Sequence, residues 1–176
     1  MYMEKSYGTD NDNWQLFLNK VHGKRFKIYF EDDSLVIAKY SSLFGSSFQF
    51  EAPADDTPGQ HMIVDVVNRD TFRPHAFLCR LTNEVWEGYY MARDGRDGEQ
   101  GSFGYNDSGG EFFKVEFVTD HIQLTENDDG NFKVKLYVIG QGQQLGTTFG
   151  VYSDNQQLTW GKEHYSQICR FECIEW

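Results

Sequence analysis

Eight residues of this 176-residue chain could grip a ligand or a partner: Arg80, Trp86, Glu87, Tyr89, Tyr90, Phe103, Tyr105 and Arg170. Trp86, Tyr89 and Tyr90 lead into the glycine-rich stretch "ARDGRDGEQGSFGYNDSGGE", and Phe103 and Tyr105 lie within it. Aromatic rings on a polar, glycine-rich segment are costly to leave wet. The five rings are therefore expected to form a recognition patch or the lid of a cavity, or else to fold back over an open end of the fold. Glu87, between Trp86 and Gly88, is the acid with the most apolar setting. Arg80 and Arg170 have apolar neighbours on both sides in strand register and are expected to face the interior. There, with Glu87, they would anchor an acidic or carbonyl-bearing ligand or form a structural ion pair.

Other chemistries fail on spacing. A dinucleotide site needs Gly-x-Gly-x-x-Gly opening a helix, whereas here the glycines repeat as Gly-x-x-Gly and the strand-like "FFKV" follows. A calcium loop beginning at Asp94 would need acids or amides where Arg96 and Gly98 stand. His22, His61, His75, His121 and His164 show no metal-ligand spacing, and His164 could join Cys169 and Cys173 on zinc only across a sharp bend. Cys79 alternates with apolar residues in "AFLCRL" and reads as core, with no Gly-x-Ser-x-Gly elbow anywhere. The acid pairs Asp32-Asp33, Asp55-Asp56 and Asp128-Asp129 all fall in predicted turns. No catalytic residue, metal or cofactor is assigned.

These residues must be carried by strands. After a polar segment at 1–11, Asp12 caps a short helix with Gln15 three residues on, and Trp14, Phe17, Leu18 and Val21 form its apolar stripe before Gly23 ends it. Beyond Gly23 the period becomes two. "KRFKIYF" and "SLVIAKY" flank the turn Glu31-Asp32-Asp33 as a hairpin, and about 10–12 runs of this kind follow. "FFKVEFV", "HIQLTE" and "FKVKLYVIG" read as a three-strand meander, and the connection from Asp94 to Gly110 as a long loop. No internal repeat is visible. The expected fold is all-β: a single antiparallel barrel or sandwich at 12–176, built as a meander and preceded by one short helix.

Aromatics make up 16% of the chain, which suits pleated sheets. The net charge of −11 is spread as −3, −5 and −3 over residues 1–60, 61–120 and 121–176. An acidic surface disfavours nucleic acid and anionic lipid and favours a basic protein partner. Cys79, Cys169 and Cys173 are odd in number, and the last two, four apart in a strand, lie about 13 Å from each other. Together with the lack of an apolar leader, this points to the cytoplasm.

A short helix ahead of the first strand and the long series of strands resemble lipocalin-type barrels in architecture. Those barrels open with Gly-x-Trp, where this chain has Gly23-Lys24-Arg25-Phe26; Arg170 matches their closing arginine, without its tryptophan. Two functions follow. One is a non-enzymatic acidic module pairing with a basic partner, as an inhibitor, immunity protein or nucleic-acid mimic does. The other is a barrel holding an apolar or aromatic small molecule, with an isomerase, cyclase or lyase acting on that molecule as its extension. "FKVKLYV", at a free edge, would offer a route to homo-oligomers.

Overall fold

In the computed structural model, residues 10–41, 45–51, 56–70, 75–86, 88–94, 100–106, 110–119, 130–139 and 148–175 are described. They form one helix, α1 (Asp10–Val21), and twelve strands. The strands are β1 (Lys24–Phe30), β2 (Leu35–Ser41), β3 (Gly45–Glu51), β4 (Met62–Arg69), β5 (Ala76–Asn83) and β6 (Tyr90–Asp94). After them come β7 (Gly101–Asn106), β8 (Phe113–Phe117), β9 (Asn131–Val138), β10 (Phe149–Asp154), β11 (Gln157–Gly161) and β12 (Ile168–Cys173). The all-β expectation holds, and the barrel is closed and antiparallel.

Its strand order is not a meander. β4 returns to β1, β8 to β5 and β12 to β9. With β4–β5, β8–β9 and β12–β1 paired as well, six strands close into a ring: β1, β4, β5, β8, β9, β12. The other six form the hairpins β2–β3, β6–β7 and β10–β11, each leaving the C-terminal end of β1, β5 or β9. The chain thus repeats one four-strand unit three times, a β-trefoil plan. Backbone pairing carries this repeat, so the residues need only preserve inward apolar alternation and no sequence repeat is required. The same pairings depart from the up-and-down order of lipocalin-type barrels.

Both ends of the ring are plugged. At one end the hairpins meet: Gln157 pairs with Gln49, Thr159 with Ser102, and the Phe48 and Tyr105 rings lie 4.6 Å apart. At the other, α1 lowers its stripe into the barrel. Phe17 packs edge-on to Phe77 at 5.0 Å and to Phe117 at 5.8 Å, while Val21 is fully buried and Trp14 and Leu18 pack at the margin. The helix begins at Asp10, so Asp12 lies in its first turn and not before it. Gly23, at φ +73°, ends it and donates its N–H to the Val64 carbonyl at 2.8 Å.

Between the plugs phenylalanine is the commonest inward residue. Phe26, Phe132 and Phe171 form one cluster, with centroids 5.5 to 6.0 Å apart and Phe132 stacked on Phe171, and Phe103 meets Phe113 at 5.7 Å. Each such ring taken out of water stabilises the fold by about 1.5–3 kcal/mol. The barrel interior is therefore packed with side chains.

The expected three-strand meander is a direct β8–β9 pairing, Phe113 opposite Val138 through Phe117 opposite Val134, and the "HIQLTE" expectation lies outside the described residues. β9 is hydrogen-bonded on both sides, to β8 and to β12, so "FKVKLYV" is not a free edge. The Glu31-Asp32-Asp33 hairpin is present. Asp33 adopts φ +62°, and Asp32 accepts the Ser34 N–H at 3.0 Å; the Ser34 side chain first, then this N–H, holds the Asp32 carboxyl below its ordinary value.

Candidate functional site

The glycine-rich stretch is not one long loop. Residues 101–106 are β7, paired with β6 through Met91–Tyr105 and Arg93–Phe103. This register turns Phe103 fully inward and leaves Tyr105 packed against the core, where burial pushes its phenol well above the ordinary value. The two rings cover the hairpin end of the barrel; Phe103 is inaccessible to a partner. Gly110, at φ +67°, permits the close return: a Cβ there would sit 2.5 Å from the Tyr90 Cβ and 2.6 Å from the Met91 carbonyl oxygen.

The other predicted residues separate into two groups. Arg80 and Tyr90 come together, with the Arg80 guanidinium 5.7 Å from the Tyr90 ring and 5.1 Å from that of Phe112. Tyr89 is exposed beside them and Trp86 ends the short 3-10 turn Glu84–Trp86, while Glu87 lies outside the described residues. Arg170 is elsewhere, because β12 stands across the six-stranded ring from β5. Neither arginine faces the interior: Cys79 and Leu81 point inward around Arg80, and Cys169 and Phe171 around Arg170, so strand parity turns both arginines outward.

On the outer wall Arg170 is fixed from three sides. Its guanidinium lies 4.3 Å from the Tyr29 ring, and its Nη1 donates to Asn131 Oδ1 at 2.7 Å and to Glu172 Oε2 at 2.8 Å. The register explains the contact, with Tyr29 opposite Arg170 and Arg170 opposite Lys133 across β1, β12 and β9. Burial, followed by the Glu172 carboxylate, raises the Tyr29 phenol above its ordinary value and keeps the ring neutral. Beside this stack opens a cleft of about 370 Å³, lined by Tyr29, Glu31, Asp33, Lys133, Ile168 and Arg170 among others. Ile168, an exposed apolar side chain, separates it from a second hollow of about 390 Å³ lined by Glu116, Val118 and Lys135.

This wall also departs from the expected evenness of charge. The outward positions of β1, β12, β9 and β8 carry Lys27, Arg170, Lys133, Lys135 and Lys114 against Glu172 and Glu116. Three of these five cations are paired, Lys27 with Asp56, Arg170 with Glu172 and Lys114 with Glu116. The missed residues, Tyr29 and Lys133 above all, had a signal in the alternation of "KRFKIYF" and "FKVKLYV", but only cross-strand register joins them to Arg170.

A further cluster, also absent from the sequence reading, surrounds His61. Its Nε2 lies 2.8 Å from Asp56 Oδ1 and its Nδ1 faces Glu84. Lys27 bonds Asp56 at 2.9 Å, and Arg25 bridges Glu84 at 3.3 Å and Glu175 at 2.7 Å. Lys27 first, then His61, holds the Asp56 carboxyl below its ordinary value. Both ring nitrogens thus face a carboxylate. The cluster clamps β1, β4 and the turn at Glu84. Among the described residues no group of three or more His, Cys, Asp or Glu is placed to hold a metal, and no helix is long and apolar enough to cross a membrane.

No protein-family model and no curated protein matches the chain. A solved structure described as "BEL beta-trefoil apo crystal form 3" aligns over 88% of this chain and 95% of that one, at 13% identity and a TM-score of 0.49. At that level the likeness bears on neither ligand nor activity.

Proposed function

We propose that this chain is a non-enzymatic binding protein that holds a small apolar or aromatic molecule on the outer wall of its barrel, in the cleft beside Tyr29. The observation that carries the reading is the Arg170–Tyr29 stack. A guanidinium pinned by Asn131 and Glu172 is ordered before any ligand arrives, which lowers the entropic cost of binding. A volume of about 370 Å³ suits a small molecule. The test is native mass spectrometry of the protein taken gently from its own cells, compared with the Arg170→Met variant. A co-purifying mass of a few hundred daltons that leaves on unfolding and is missing from the variant supports the reading. Equal retention by the variant moves the site away from this cleft.

A second reading, pairing with a basic protein partner, is favoured by the net charge of −11. Its complex would weaken steeply between low and physiological salt, where charges are screened over about 8–10 Å. A salt-insensitive complex would exclude it. Both readings are compatible with a cytoplasmic setting.

A further inference from the structure

The charges lining the Tyr29 cleft are opposed and do not meet. Glu31 and Asp33 lie in the β1–β2 turn on one rim and Lys133 of β9 on the other, with Arg170 of β12 between them. All four are described, and no ion pair joins the rims: Arg170 is held by Glu172, and neither Lys133, Glu31 nor Asp33 has an ionic partner among the described residues. β12 lies between β1 and β9, so two strand spacings, about 9.5 Å, separate the outer strands. Between them the exposed Ile168 of β12 supplies an apolar side chain to the lining. Opposite charges held apart along one cleft are complementary to a molecule with the reverse arrangement.

We propose, on the basis of the cleft reading above, that the ligand class is a zwitterion with an apolar spacer: an ammonium directed to Glu31 and Asp33, a carboxylate directed to Lys133 and Arg170, and methylene or ring carbons laid over Ile168 and the edge of Tyr29. The width between the rims favours ω-amino acids and short peptides over α-amino acids, whose two charges are too close to reach both sides.

Three probes of one body length separate the contributions: 6-aminohexanoate, hexanoate and hexylammonium, titrated at equal ionic strength while the Tyr29 and Ile168 resonances are followed by NMR. The expected result is that 6-aminohexanoate binds at least tenfold more tightly than either singly charged probe. Lys133→Gln should weaken it toward the level of hexylammonium, and Glu31→Gln toward the level of hexanoate, each leaving the second partner of that end in place. Both positions are exposed, so the variants should keep the parent fold by circular dichroism. Hexanoate binding as tightly as 6-aminohexanoate overturns the zwitterion and leaves an anion site in the same cleft. If all three probes are silent but indole or another neutral aromatic moves the same resonances, the zwitterion falls alone. If the neutral aromatics are silent too, the cleft reading falls with it.

Discussion

Phe48 of β3 and Tyr105 of β7 hold their ring centroids 4.6 Å apart where two of the three hairpins meet. Phe48 is fully buried, and Tyr105 comes from the stretch that reads as loop in the sequence. Truncating one member removes the ring and leaves a cavity that rigid strands fill poorly. Phe48→Ala should therefore cost about 3–5 kcal/mol, read as a lower urea midpoint with an unchanged slope. A loss under about 1 kcal/mol would show that the hairpin end of the barrel is not closed by this pair.

At the opposite end Phe17 reaches Phe77, Phe117 and Phe132. Phe17→Ala should cost a similar amount, about 3–5 kcal/mol. Leu16 and Gln15, exposed on the far side of α1, should tolerate alanine within about 0.5 kcal/mol. Equal effects at Phe17 and Leu16 would mean that the helix does not plug the barrel.

Acid should loosen the ionic clamp around β1. The Arg25 hydrogen bond holds Glu175 below its ordinary 4.5, and the Lys27 and His61 bonds hold Asp56 below its ordinary 3.8. Because both pKa values are depressed in the folded state, the stability they contribute is present above those ordinary values. It is lost as pH falls from about 4.5 through the folded ones. In urea melts across this range, the Glu175→Gln/Asp56→Asn double variant should show a shallower fall in midpoint than the parent.

The three cysteines are free and buried, and burial raises all three thiols above their ordinary 9.0. In native protein at neutral pH a disulfide reagent should titrate Cys79 and Cys169 only on the timescale of unfolding, and all three thiols should react at once in urea. Fast labelling of Cys79 in the native state would contradict its complete burial.

Gly150 of β10 lies against the turn at Glu163–Tyr165. A Cβ there would sit 2.6 Å from the Ser166 N and 2.8 Å from the Lys162 and Glu163 carbonyl oxygens. Those are backbone atoms and cannot rotate away. Gly150→Ala should cost about 1–3 kcal/mol, visible as a lower Tm.

The sequence alone determined the local features of this protein. Alternation in "KRFKIYF", "AFLCRL" and "FKVKLYV" assigned the strands and most of the core, the spacing of Phe17 and Val21 set the buried face of α1, and Gly23 and the Glu31-Asp32-Asp33 turn marked where elements end. Each of these is written within a few residues, where the periods of helix and strand act. Only the tertiary structure decided which strands neighbour one another. That choice rests on hydrogen bonds between backbone groups that are alike in every residue, so nothing in β4 announces that it returns to β1. The parity that turns Arg80 and Arg170 outward depends on which side is inside, and the pairing of Tyr29 with Arg170 joins segments more than a hundred residues apart. The candidate site is therefore a product of register across three strands, and no single segment contains it.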